Sequence, residues 1–203
     1  MNGYLEDLLF ALSEESGLRF ERIHANADAI LPELSVGQYD IVVTGLSPHP
    51  LYQTRYDFSP RVLNTGLMLL LPPHASTDLS GKIIGIQSQE ANHYLQQYPN
   101  VIIRIYESIP ELLSAVVSGD ADGALLSRVP AINYVRDLYA GALEISGEPL
   151  TEAGIRFVAI KGEYKKQIAL LDKSIEKLEK RGKLKALQEK WRLAVPIERA
   201  KGS

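Results

Sequence analysis

The chain has 203 residues, 45% of them hydrophobic and 23% charged, which are the values of a compact folded protein and exclude wholesale disorder, a collagen-like repeat or a coiled-coil rod. A formal net charge of −3 argues against a dedicated nucleic-acid binder, which carries a strong basic excess. The absence of cysteine removes disulfides, thiol nucleophiles and thiolate metal sites.

In chain order, Leu5, Leu8, Leu9 and Leu12 recur at helical spacing, and Gly17 closes that helix where a glycine cap belongs. The segment carries acids and lacks the basic start and small-residue cleavage site of a signal peptide, so any export signal is expected outside this chain. A strand over 18–23, a short helix over 27–36 and a β-branched strand over 41–44 follow. The carboxyl edge of that last strand runs Thr44-Gly45-Leu46-Ser47, and a proline-punctuated loop covers 48–60. The longest apolar run, 66–71, has the length of a strand and not the roughly 20 residues of a membrane span.

Pro72-Pro73 breaks that run and marks a boundary between lobe 1 (1–70 plus 153–203) and lobe 2 (71–152). Strands over 82–87, 101–105 and 123–126 then alternate with helices over 90–97, 110–118 and 130–139. A strand over 156–160 and two long helices, 163–181 and 183–191, hinged at Gly182, end the chain. This alternation predicts an α/β fold around largely parallel sheets. Charge is uneven: residues 161–203 hold 13 Lys plus Arg against 6 Asp plus Glu, a net +7 that leaves −10 for residues 1–160. The basic segment reads as a solvated helical face or as a docking surface for an acidic partner or membrane headgroups.

The stretch Gly37-Gln38-Tyr39-Asp40-Ile41-Val42-Val43-Thr44-Gly45-Leu46-Ser47, followed by Tyr56-Asp57-Phe58-Ser59-Pro60, resembles the type 2 periplasmic solute-binding proteins of the polar amino-acid group, the receptor components of ABC importers. Gly3-Tyr4 with Asp7-Leu8, Leu79-Ser80-Gly81-Lys82 with Gly85, Gly119 with Asp122, and the closing Gly182 and Trp191 extend the match over nearly the whole chain in order. The resemblance implies two α/β lobes joined by two hinge crossings, a small polar solute such as an amino acid or a cationic molecule held between them, an ABC permease as partner, and a periplasmic or extracytoplasmic location. It implies no cofactor, no metal and no catalytic residue.

Three anchor positions depart from that family's pattern. The arginine that grips a ligand carboxylate is replaced by Tyr52, and a phenol cannot make a bidentate clamp; Arg55 stands three residues on. The anion cradle aligns with Gln89-Glu90-Ala91, where Glu90 repels a carboxylate and favours a cation. The acid that holds the ligand ammonium is replaced by Ser127, which offers a hydrogen bond without countercharge. The reading is therefore a receptor of altered specificity with Thr44, Gly45, Ser47, Tyr52 and Arg55 from lobe 1 and Gln89, Glu90 and Ser127 from lobe 2 as ligand residues. The family's first strand also has no counterpart before Gly3, so either the chain is truncated or a neighbouring protomer supplies the pairing in a homodimer.

Other chemistry is thinly represented. The four histidines, His24, His49, His74 and His93, have no ligand spacing, and no nucleophile elbow, phosphate loop or dinucleotide fingerprint occurs. Gly119-Asp120-Ala121-Asp122-Gly123 reads as a helix-ending turn and not a calcium loop. Some proteins of this fold are dehydratases, but Glu90 has no paired acid. The competing non-enzymatic reading is an interaction module with a vestigial cleft, docking through the basic segment.

Overall fold

The computed structural model describes residues 2–195. Its elements are α1 (Asn2–Ser16), α2 (Ile30–Ser35), β1 (Val42–Thr44), α3 (Pro50–Gln53), β2 (Tyr56–Phe58), β3 (Leu63–Asn64) and β4 (Leu67–Leu71). There follow β5 (Ile83–Ile86), α4 (Gln89–Leu95), β6 (Ile102–Ile105), α5 (Ile109–Ser118), β7 (Gly123–Ser127), α6 (Arg128–Asp137), β8 (Glu144–Ser146), β9 (Gly154–Ile160), α7 (Lys165–Lys180) and α8 (Lys183–Lys190). The chain divides into two units, the first holding residues 2–64 and Ala153–Ala194, the second Thr65–Glu152 with Val195.

In the first unit β9 is the central strand, and β1, β2 and β3 all pair with it antiparallel. Its run Ile155-Arg156-Phe157-Val158-Ala159 is buried throughout, as expected of a strand covered on both faces. On one face Leu34 of α2 packs with Val42, Tyr56 and Val158. Elsewhere α1 and α7 pack together, burying Tyr4, Leu8 and Leu12 with Ile168, Leu171, Ile175 and Leu178; the Tyr4 hydroxyl donates to the Val62 carbonyl. The two ends of the chain are knit at α1. Asp7 accepts from Lys190 Nζ at 2.6 Å and Trp191 Nε1 at 2.8 Å, and the Trp191 ring fills the place a Cβ on Gly3 would take, 2.1 Å away. Glu15 pairs with Lys177 and Arg181, so part of the basic segment's charge is matched by α1.

In the second unit the strand order is β6-β5-β7-β4-β8. β5 is parallel to β6 and β7, and β4 is antiparallel to β7 and β8. The continuous apolar run of β4 follows from burial on both sides: Met68 and Leu70 face the layer of α5 and α6 with Leu112, Leu113, Val116 and Ala131, while Leu67, Leu69 and Leu71 face Leu95 of α4 with Ile84 and Ile86. Asp122 pins the edge of β5, its Oδ2 accepting from the Ile83 N–H and its own N–H donating to the Ile83 carbonyl, both at 2.8 Å. Gly119 at φ 84° ends α5 as a left-handed cap, so the glycine-aspartate run is a helix-ending turn.

Several expectations are corrected. No strand forms over 18–23: among the described residues no strand accompanies it, and the segment is largely exposed, with Ile23 at 58%. The loop over 48–60 contains α3, with Pro50 in its first turn, and β2, which finds its partner in β9. The helix over 27–36 is confined to α2. The sheets are not largely parallel. β9 re-enters the first unit from the far end and runs against β1, β2 and β3, while β4 runs against β7. β8, a half-buried edge strand, was not anticipated. The chain passes between units at Asn64–Thr65 and not at Pro72-Pro73, because all of β4 is hydrogen-bonded into the second sheet. Of the sequence expectations, those resting on Met1 and on residues 196–203 lie outside the described residues.

Candidate functional site

In the first unit the polar candidates lie on one continuous segment. β1 ends at Thr44, whose Oγ1 accepts from the Leu46 N–H at 3.3 Å and turns the chain through an exposed Gly45 and Ser47. His49 then caps α3, its Nδ1 accepting from the Leu51 N–H at 3.4 Å. Tyr52, on α3, is 41% exposed and meets the edge of the His49 ring at a centroid distance of 6.5 Å. Arg55 is exposed beyond α3, its carbonyl accepting from the Lys161 N–H.

The family-like stretch after it is structural. Ser59 is buried and bonds Phe157 twice, donating its N–H to the Phe157 carbonyl and accepting the Phe157 N–H on Oγ. Asp57 accepts from Lys161 Nζ and from the Gly162 N–H, both at 2.8 Å, which holds the turn after β9. Burial of the Asp57 carboxyl raises its pKa, but the Lys161 ammonium and the Gly162 N–H outweigh this and hold the group below its ordinary value. A carboxylate whose folded pKa is depressed adds stability that is complete above its unfolded pKa of about 3.9 and is lost as the pH falls through the lower folded value. Asp57→Asn is expected to lower the melting temperature at neutral pH, and the gap from the parent protein is expected to close below about pH 4. Thermal melts across pH check this, and a gap independent of pH would contradict it.

In the second unit Ser88 caps α4, its Oγ accepting from the Ala91 N–H at 3.2 Å, so Gln89 and Glu90 stand exposed in the first turn. Glu90 Oε1 accepts from the Thr151 hydroxyl at 2.8 Å, and Thr151 Oγ1 accepts in turn from the Leu67 N–H at 3.0 Å. Ser127 ends β7 directly across from Leu67, and the next residue, Arg128, donates its N–H to the Gly66 carbonyl at 2.9 Å. Glu90 and Ser127 are thus each tied, through one neighbour, to the segment by which the chain enters this unit. Beside Glu90 lies an open depression of about 420 Å³ lined by Glu90, His93, Tyr94, Gln96, Gln97 and Thr151. Burial, then the Tyr98 hydroxyl 3.1 Å away, pushes the Tyr94 phenol up to about 12, so it stays a neutral hydrogen-bonding group.

The segments linking the units run in pairs on both sides of the division. In the first unit Leu63 and Asn64 face Ile155 and Gly154. In the second, Leu67 exchanges bonds with Leu150 and Thr151. The candidate set comprises hydroxyls, an amide, a phenol, a guanidinium and one carboxylate. Groups of these kinds can take part in hydrogen bonds and charge pairing with polar solutes. Among the described residues no three His, Asp or Glu side chains converge as a metal site. Sequence reasoning passed over Thr151. Thr151 carried no local signal, because its role depends on a partner 84 residues away.

Two α/β units joined by two paired crossings, with polar groups at strand ends, are the architecture of the two-lobe solute-binding proteins. The sequence profile of the Bacterial extracellular solute-binding proteins, family 3, matches residues 1–194, and the chain belongs to that family, one of binding proteins and not of enzymes. It is 22% identical over 200 residues to the arginine-binding extracellular protein ArtP of Bacillus subtilis, covering 93% of this chain and 77% of that protein. It is 23% identical over 201 residues to the L-cystine-binding protein TcyJ of Escherichia coli, covering 94% and 74%. The L-cystine solute receptor of Neisseria gonorrhoeae, in its unliganded open conformation, shares the fold at a TM-score of 0.81 and 18% identity, covering 96% of this chain and 85% of the other.

Proposed function

We propose that this chain is the receptor of an ABC importer, working outside the cytoplasmic membrane and delivering to a permease a small polar solute that carries a cationic group, either an amino acid or an organic cation. The observation that carries this reading is Glu90: an exposed carboxylate at the start of α4, held in place by Thr151 and presenting its second oxygen. A carboxylate there disfavours an anion at the helix start and rewards an ammonium or guanidinium. Arginine and L-cystine, named for two of the relatives, both bring cationic groups. Thr44, Gly45, Ser47 and Tyr52 supply hydrogen bonds and an aromatic wall from the first unit. Gln89 and Ser127 add neutral contacts from the second, and Arg55 stands at the margin. A solute held by groups of both units stabilises the form in which both hold it, and the permease reads that form.

The test is a thermal-shift screen with L-arginine, L-cystine, L-glutamate, agmatine and putrescine. A ligand at 100 times its Kd stabilises by about 2.7 kcal/mol, or about 5 to 10 °C in a protein of this size. A shift of that order with cationic solutes is the expected result, and a flat screen on folded protein overturns the reading.

A further inference from the structure

Asp57, Glu15 and Asp7 take up part of the charge of the basic segment by pairing with Lys161, Lys177, Arg181 and Lys190. The rest is ordered by α7. At about 100° of turn per residue, Lys166, Lys173, Lys177 and Lys180 fall within an arc of about 60° on that helix, and residues seven apart drift by only about 20°. All four are exposed. They stand on the face opposite Ile168, Leu171, Ile175 and Leu178, which are buried, so the stripe points directly away from the core. From Lys166 to Lys180 it runs about 21 Å. Leu170, 41% exposed, lies beside it. Past Gly182, which turns the chain at φ 70°, Lys183 and Lys185 are exposed as well.

Among the described residues the side chains of Lys166, Lys173, Lys180, Lys183 and Lys185 have no hydrogen bond or ion pair, while Lys177 reaches back to Glu15 at 2.9 Å. The acids of α7, Asp172, Glu176 and Glu179, fall about 60° to 120° to one side of the stripe. Lys173 and Lys177, four residues apart, repel one another on a helix, a cost that alanine or glutamine would avoid. The charges are also of one kind. Lysine is a compact, strongly hydrated cation on a flexible stem and lacks the rigid fork with which arginine grips a single carboxylate. A convex ridge of such groups, with an exposed leucine among them, has the composition of a helix face that meets lipid headgroups.

We propose that the outward face of α7, with the start of α8, is a docking surface for a membrane of anionic phospholipids. Charge complementarity selects this occupant: headgroups present many phosphates in one plane without fixed positions, and a ridge of ammoniums meets several of them at once. An acidic peptide calls for donors of fixed geometry, which the ridge does not offer. Residues 1–160, at a net −10, are repelled by the same surface, so the protein adsorbs by this face and not by its overall charge. Adsorption holds the protein at the surface where a permease would collect its solute. It requires no bound solute, so its failure leaves the receptor reading standing.

Vesicle sedimentation tests the proposal by giving the lipid concentration at which half of the protein is bound. The variants are Lys173→Gln with Lys180→Gln, and Lys173→Glu with Lys180→Glu. The control, Arg19→Glu with Arg104→Glu, makes the larger of these charge changes on exposed residues outside α7 and α8. The parent is expected to bind vesicles of equal parts phosphatidylcholine and phosphatidylglycerol at about 0.05 M salt, to be released at about 0.5 M salt, and to ignore pure phosphatidylcholine. The glutamine pair is expected to raise the half-binding lipid concentration about 30-fold and the glutamate pair further, with the control within about threefold of the parent. Should the glutamate pair fail to fold by circular dichroism, the glutamine pair decides. A parent that ignores the mixed vesicles, α7 variants that bind as the parent does, or a control that loses as much as they do overturns the inference. So does a parent that binds poly-L-glutamate in solution but not vesicles, which would give the ridge to an acidic protein.

Discussion

Gly66→Ala is expected to lower the unfolding free energy by about 3 kcal/mol or more, although the change adds a single methyl group. A Cβ at this position would lie 2.1 Å from the Thr151 carbonyl oxygen and 2.9 Å from the Thr151 carbonyl carbon. Both are backbone atoms that no rotamer change can move aside. Relief requires the two segments to separate. Two hydrogen bonds are set by their close approach, the Leu67 N–H to Thr151 Oγ1 and the Leu150 N–H to the Leu67 carbonyl at 2.7 Å, and the Arg128 N–H holds the Gly66 carbonyl from a third segment at 2.9 Å. Gly45→Ala is the matched control, since nothing lies within 4 Å of a Cβ there, and it is expected to stay within about 0.5 kcal/mol of the parent. Urea unfolding of the two variants side by side checks the prediction. Equal stabilities would show that the two segments are not packed as described.

The second large effect concerns binding. Glu90→Lys puts an ammonium where the proposed solute places its own cation, and like charges in contact cost several kcal/mol, so affinity for agmatine is expected to fall about 100-fold or more. Glu90→Gln separates charge from positioning. Its amide oxygen can still accept the Thr151 hydroxyl, so its expected loss of about tenfold reports the charge alone. Glu90 is exposed, and both variants are expected to fold. Retained agmatine affinity in Glu90→Gln would remove the observation on which the cationic solute rests.

The elements with strong local signals were legible before the structure. α1 declares itself by leucine spacing and a closing glycine, and β4 by an apolar run that is buried on both faces. What escaped was set by distant partners. The prolines around Tyr56–Phe58 hid β2, whose strand character comes from β9, about a hundred residues later. Residues 18–23 alternate well enough to read as a strand, but no described strand lies beside them to take their hydrogen bonds. The division between units was misplaced because Pro72-Pro73 is a stronger local break than Thr65-Gly66, while pairing with β7 and β8 assigns β4 to the second unit.

The same logic governs the candidate site. Thr44-Gly45-Leu46-Ser47 could be picked out as a strand-end segment, and Glu90 as an acid at a helix start, because each depends on its immediate neighbours. Thr151 acquires its meaning only from a hydrogen bond to Leu67, 84 residues away. Conversely, the conspicuous Tyr56-Asp57-Phe58-Ser59-Pro60 stretch, which carried the family resemblance, serves the scaffold by fastening β2 and the turn after β9.

The most direct test of the account is titration calorimetry of the folded protein with L-arginine, L-cystine, agmatine and putrescine. The account predicts saturable binding of at least one cationic solute with one site per chain, together with a matching rise in melting temperature. No heat and no thermal shift with any of the four, on protein shown to be folded, would contradict it and leave a solute-receptor fold that does not receive such a solute.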